Sequence, residues 1–134
     1  IKSDYNNKLN IIFLLMGKIP NKIKKKIFCF DIDGIICKTV NGDYKKSTPI
    51  KKNIKKINDF YNQGHFIKIF TARFMGRSKE KSSLAKKKGY KLTALQLKKW
   101  NLKYHKLIMG KPSYDFFIDD KAFNKFNDLM KKIK

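Results

Sequence analysis

The sequence predicts an α/β fold, a Rossmann-like three-layer sandwich on a mainly parallel sheet of four to five strands with a small hairpin flap. Three observations lead there. Short apolar runs alternate with segments of helical periodicity, the order that builds a parallel sheet with helices on both faces. The 134 residues suffice for one ordinary domain and not for two. With 42% hydrophobic and 13% aromatic residues, the chain has enough apolar material to bury a core.

The elements follow in order. Residues 1–25 are an N-terminal extension of undetermined role, rich in Lys and Asn around the apolar Leu9–Met16. The pattern leaves open whether 9–16 is an added strand or a helix turn; Gly17 and Pro20 close it. The domain proper runs over 26–134. Lys26–Phe30 reads as a strand buried on both faces, ending in Asp31-Ile32-Asp33-Gly34. Asn41-Gly42, between Ile35–Val40 and Asp43–Lys46, is a strong hairpin signal, because a type I′ turn needs positive φ at both central residues. Ser47-Thr48-Pro49 offers a hydroxyl cap and a proline for a helix start, and Ile50, Ile54, Ile57 and Tyr61 recur at helical spacing until Gly64. Phe66–Phe70 is a second buried strand, running into Thr71-Ala72-Arg73. Ser78–Lys88 reads as a basic, exposed helix stopped by Gly89, with Thr93 capping another short helix that carries Leu95, Leu97 and Trp100. His105–Met109 is a third strand, followed by Gly110-Lys111-Pro112, and Tyr114–Ile118 a fourth, ending at Asp119-Asp120. Ala122–Ile133 closes the chain as a helix with Phe123, Phe126, Met130 and Ile133 on one face.

Composition excludes several classes. The longest apolar run, Ile11–Met16, has six residues, against the roughly 20 of a membrane-spanning helix. It is also a poor signal peptide, with no small-residue cleavage site after it, so no membrane association and a cytoplasmic location are expected. The chain begins at Ile1 rather than Met, as a fragment of a longer protein would. Cys29 and Cys37 form neither a CxxC pair nor a disulfide framework. The formal charge is +23, and 31 of the 33 basic residues are Lys, alongside 17 Ile and 11 Asn. That bias matches an AT-rich genome better than selection for a polyanion partner. Its field still draws in anions and supports weak, non-specific nucleic-acid binding.

Acids are scarce, and four of the ten sit in tight pairs, Asp31/Asp33 and Asp119/Asp120, each directly after an apolar run. Such placement suits a bound cation. In open parallel sheets, ligands bind beyond the carboxyl ends of the strands. Here those ends supply paired aspartates, Thr-Ala-Arg, Lys and paired aspartates again. That set contains a nucleophile, an acid/base, phosphate holders and metal ligands, which are the requirements of metal-assisted phosphoryl transfer.

These motifs, Asp31-Ile32-Asp33-Gly34, Thr71, Lys111 and Asp119-Asp120, resemble in identity and order those of the haloacid dehalogenase superfamily of aspartate-nucleophile phosphatases. The resemblance covers about residues 26–130. The stretches Phe70–Arg73, Tyr104–Pro112 and Ile118–Ala122 look more closely like small phosphatases encoded with bacterial capsule and surface-polysaccharide genes. The resemblance implies that Asp31 attacks phosphorus to form an aspartyl-phosphate, and that Asp33 protonates the leaving alkoxide and then activates water. It implies Mg²⁺ held by Asp31, the Asp33 carbonyl, Asp119 and Asp120, with either residue of the last pair as the direct ligand. Thr71, Ala72, Arg73 and Lys111 would hold the phosphoryl oxygens. Ile35 departs from the Thr or Val that many relatives carry after the motif. Between Asp33 and Thr71 lie 37 residues, and between Thr71 and Lys111 lie 39, neither enough for a folded cap domain. An open site is therefore expected, acting on a macromolecule or roofed by a neighbour in a homo-oligomer.

The preferred reading is a capless Mg²⁺-dependent phosphatase acting on a small phosphorylated sugar or polyol in capsule or polysaccharide biosynthesis. One alternative is a nucleic-acid 3′-phosphatase, favoured by the open site and the charge. A second is a non-catalytic basic nucleic-acid-binding domain, which no binding motif supports. His65 and His105 stand at strand starts, far from the carboxyl ends, and read as structural; Trp100 reads as core.

Overall fold

The computed structural model describes residues 2–17 and 23–133. Pro20, expected to help close the N-terminal apolar stretch, lies outside them. That stretch forms the end of a helix, α1 (Lys2–Leu15), whose Leu9, Ile11, Ile12 and Leu15 remain exposed.

The central sheet is made of β1 (Ile27–Phe30), β4 (Phe66–Thr71) and β5 (Lys106–Met109), all parallel and in that spatial order. A separate antiparallel pair, β2 (Cys37–Lys38) and β3 (Thr48–Pro49), forms the stem of the flap. Parallel neighbours need a crossover, and the helices α2 (Lys51–Asn62) and α3 (Ser82–Lys99) supply it between β1 and β4 and between β4 and β5. A last helix, α4 (Phe126–Lys132), follows.

The core sits on one face of the sheet. Phe28 is opposite Ile67, Phe30 opposite Ile69, and Ile69 opposite Leu107. Onto them pack Ile54, Ile57 and Phe60 of α2, Leu97 of α3 and Phe126 of α4. Phe28 stacks on Phe60 and Phe30 on Phe126, with ring centroids 4.5 and 5.5 Å apart. On the other face Ile27, Cys29, Phe66 and Lys106 are exposed. The first strand is therefore buried on one side only, and among the described residues no helical layer covers its second face.

Four further expectations are corrected. Among the described residues the main sheet has three strands, not four to five, because Tyr114–Ile118 is not a strand. An apolar run becomes a strand only when a neighbour supplies ladder hydrogen bonds and cover. Here every residue from Pro112 to Lys125 is exposed, between buried Lys111 and Phe126, and Ile118 is 95% exposed. The closing helix accordingly starts at Phe126 rather than Ala122. Pro49 does not open α2; it belongs to β3, and the helix begins at Lys51 behind Ile50, whose N–H donates to the Ile36 carbonyl at 2.8 Å. Finally, Ser82–Lys99 is one helix running through both Gly89 and Thr93. Gly89 is buried against the ring of Phe74, where a Cβ would collide, so close approach rather than helix termination explains the glycine.

The flap has the expected local turn. Asn41 and Gly42 have φ of 52° and 65°, and the Asp43 N–H donates to the Val40 carbonyl at 3.0 Å. The turn does not close a ladder directly. Residues 39–47 form a longer loop with a 3₁₀ turn over Tyr44–Lys46.

Candidate active site

The parallel strands deliver polar residues to one edge. Directly after β1, the Ile32 carbonyl accepts from the N–H groups of Ile35, Ile36 and Cys37 at 3.1, 2.8 and 3.2 Å. This single tight turn, with Gly34 at φ 89°, carries Asp33 away from the strand, while Asp31 directly follows the strand's last residue. Asp31 accepts from the Ile32 N–H at 2.7 Å through Oδ1 and from Lys111 Nζ at 3.2 Å through Oδ2. Lys111 arrives from the end of β5, where its own N–H donates to the Thr71 carbonyl at 3.1 Å. Its ammonium is 5.2 and 5.1 Å from the ring centres of Tyr114 and Phe117. Burial disfavours the charged Lys111, but the Tyr114 hydroxyl and the Asp31 carboxylate outweigh it and raise its pKa.

Thr71 is fully buried at the end of β4, and its hydroxyl accepts from the Arg73 N–H at 3.1 Å. Ala72 is half-buried and bridges the two. Arg73 was expected on the phosphate. Instead its guanidinium grips Asp33, with Nε 2.9 Å from Oδ2 and Nη2 2.9 Å from Oδ1. Only 1% of Arg73 is exposed, so the fork is fully used inside the protein. Asp33 also accepts from Thr39 Oγ1 at 2.5 Å. Burial alone would push the Asp33 carboxyl up; the Arg73 and Thr39 hydrogen bonds and the Arg73 charge prevail and hold it below its usual value.

Asp119 and Asp120 are exposed, and Asp119 Oδ1 accepts from the Lys121 N–H at 2.8 Å, an isolated turn. Among the described residues, no three acidic, histidine or cysteine side chains come together in a group that could hold a metal ion. The expected Mg²⁺ donors Asp31, Asp33, Asp119 and Asp120 are thus not gathered in this arrangement. The geometry joins Asp31, Lys111 and Thr71 in one group and Asp33 with Arg73 in another.

Two hollows of about 530 and 400 Å³ lie elsewhere, lined mainly by α2, α3 and the 101–104 segment that leads into β5 from its amino end. Neither includes a residue from the carboxyl ends of β1, β4 or β5. His65 and His105 do stand at the amino ends of the strands. His65 Nδ1 accepts from the Lys26 N–H at 3.1 Å and His105 Nδ1 from the Ile67 N–H at 3.0 Å, so both are structural. Thr39, Ser47, Tyr44 and Gln96 meet around Asp33 and Arg73; the sequence offered Ser47 only as a helix cap and the other three not at all. The only signal of that meeting is proximity to the flap turn for Thr39, Ser47 and Tyr44, and none for Gln96.

No family model matches the chain, and no curated protein matches it. A solved crystal structure of a protein from Vibrio cholerae is similar, at 25% identity and a TM-score of 0.69, over 83% of this chain and 100% of the other. That likeness agrees with the α/β fold.

Proposed function

We propose that the chain hydrolyses phosphomonoesters through an aspartyl-phosphate. The observation that carries this reading is the meeting of Asp31 and Lys111 at 3.2 Å, with Thr71 tied to the Lys111 backbone, at the carboxyl ends of parallel strands. Asp31 Oδ2 attacks phosphorus while the bond to the leaving oxygen breaks, and Asp33 passes a proton to the alkoxide. Water then attacks phosphorus, Asp33 takes its proton, the acyl-phosphate bond breaks, and inorganic phosphate leaves. Lys111 offsets charge on the phosphoryl oxygens. The Arg73 pair favours the ionised Asp33, the form that accepts a proton from water; donation to the alkoxide requires the protonated form.

Mg²⁺ is the proposed cofactor on the resemblance of the motifs alone; among the described residues Asp31, Asp33, Asp119 and Asp120 are not gathered into a group that could hold it. The proposed substrate is a small phosphorylated sugar or polyol of capsule or polysaccharide synthesis, a choice that rests on the resemblance of the motif stretches. A 3′-phosphorylated nucleic acid end is the second reading, supported by the +23 charge.

Phosphate release from a panel of sugar phosphates and a 3′-phosphorylated oligonucleotide, with Mg²⁺ and with excess EDTA, tests the proposal. Asp31→Asn abolishes release while the circular dichroism spectrum stays that of the wild type. Turnover by Asp31→Asn near the wild-type rate removes the nucleophile assignment, and full turnover in EDTA removes the metal.

A further inference from the structure

Arg73 and Arg77 are the only arginines among the 33 basic residues, and both guanidiniums lie over the ring of Tyr44, 4.8 and 4.7 Å from its centre. Tyr44 is at the crest of the flap loop, so the loop is gripped from the end of β4. Arg77 also donates to the Gly42 carbonyl. Arg73 does more than stack. Beyond its fork on Asp33, Nη1 donates to Gln96 Oε1 at 2.7 Å, and Nη2 lies 3.3 Å from Ser47 Oγ. Gln96, from α3, donates in turn to the Tyr44 carbonyl at 2.5 Å. Thr39 and Ser47, the two ends of the loop, share a hydrogen bond of 2.6 Å, and Thr39 donates to Asp33. Apart from the Arg77–Gly42 bond, these polar links between the loop and the rest of the site lead to Asp33 or to Arg73.

We infer that Arg73 is a positioning residue rather than a phosphate holder: it pins the Asp33 carboxylate beneath a latched flap, and Gln96 and Tyr44 are the latch. The catalytic part of this inference rests on the phosphatase reading; the latch itself does not. A planar fork suits the task, because it fixes both carboxylate oxygens and still has Nη1 free to reach Gln96, which a lysine ammonium could not do in one geometry. Buried polar networks of this kind hold a single arrangement only when each member is satisfied, so removing one link loosens the rest. Release of the flap would free Asp33 to swing, and its proton transfers depend on a fixed distance to the reacting oxygen.

Two measurements on the full chain test this. Amide hydrogen exchange without substrate reads the latch. Gln96→Leu raises exchange at residues 40–46 by about tenfold, the effect of losing two hydrogen bonds, and leaves Phe66–Thr71 unchanged. Flap exchange equal to the wild type overturns the latch. Steady-state kinetics with glucose 6-phosphate and a 3′-phosphorylated oligonucleotide read the positioning, on whichever the wild type turns over. Arg73→Lys keeps the charge and loses the fork, so kcat falls about tenfold or more while KM holds within about twofold. A higher KM with kcat unchanged overturns the assignment and makes Arg73 a phosphate holder. If Arg73→Lys fails to fold, Gln96→Leu carries the same kinetic split. Absence of wild-type turnover on both substrates defeats the phosphatase reading alone, and the exchange measurement still decides the latch.

Discussion

His65 illustrates how a single side chain can be legible as to role and illegible as to partner. Its position after Gly64 marks it as structural, and its Nδ1 indeed accepts from the Lys26 backbone, a contact across 39 positions that no local pattern reveals. The bond requires an unprotonated Nδ1. Burial, then Lys25 and Lys26, lowers its pKa from the ordinary 6.5. Between the lowered folded value and 6.5 the unfolded chain binds more protons, so stability rises with pH there. The contribution is complete above 6.5 and is lost as pH falls toward the folded value. Urea midpoints measured from pH 7.5 to 5 should therefore drop for the wild type and drop less for His65→Gln, whose amide oxygen can accept the same N–H at every pH. Equal pH slopes in the two proteins would discard this account.

At the scale of the element, α3 carries two predictions of opposite sign. Gly89→Ala improves helix propensity by about 1 kcal/mol, yet its Cβ runs into the Phe74 ring, and overpacking costs about 1–3 kcal/mol. Net destabilisation of about 1 kcal/mol is expected in a urea titration. Thr93 is fully buried in the same helix, and its hydroxyl has no hydrogen-bond partner. Thr93→Val removes the stranded hydroxyl at nearly constant shape and should raise stability by about 1 kcal/mol. Both residues look like helix boundaries in sequence, a breaker and a cap. Their real surroundings are tertiary: the Phe74 ring against one, and the interior around the other. Tyr114–Ile118 shows the converse. Its apolar composition fits a strand, but strand formation depends on a partner edge, and the segment lies exposed between anchors at Lys111 and Phe126.

At the scale of the whole molecule, charge governs encounter more than chemistry. Among the described residues no helix is long and apolar enough to cross a membrane, and the +23 charge faces the surrounding solution largely as exposed lysines. If the substrate is a sugar phosphate, kcat/KM falls with added salt while kcat barely changes, because the Asp31–Lys111 contact is short and screening acts over about 8 Å at physiological ionic strength. Competing DNA should then inhibit weakly, with Kd about 10⁻⁴–10⁻⁶ M. A 3′-phosphorylated oligonucleotide that beats every sugar phosphate in kcat/KM, with a steep salt slope, would instead favour the nucleic-acid reading.

What the sequence determined by itself is the local framework: strands at 26–30, 66–70 and 105–109, each within a residue of the observed parallel strands, the crossing helix through Ile54 and Ile57, the positive-φ turn at Asn41-Gly42, and the placement of Asp31, Thr71 and Lys111 at strand ends. Each follows from periodicity, turn chemistry and the polarity of a parallel strand, which are properties of neighbouring residues. Tertiary structure decided where the charged groups go. Arg73 stands two residues after Thr71 in sequence, beside the expected phosphate site, but it turns inward to the half-buried Asp33, because its own fully buried charge needs a partner there. The pairing spans 40 positions and is completed by Gln96 from α3 and Tyr44 from the flap. No window of sequence contains those contacts, since they exist only once the sheet has brought its strand ends together.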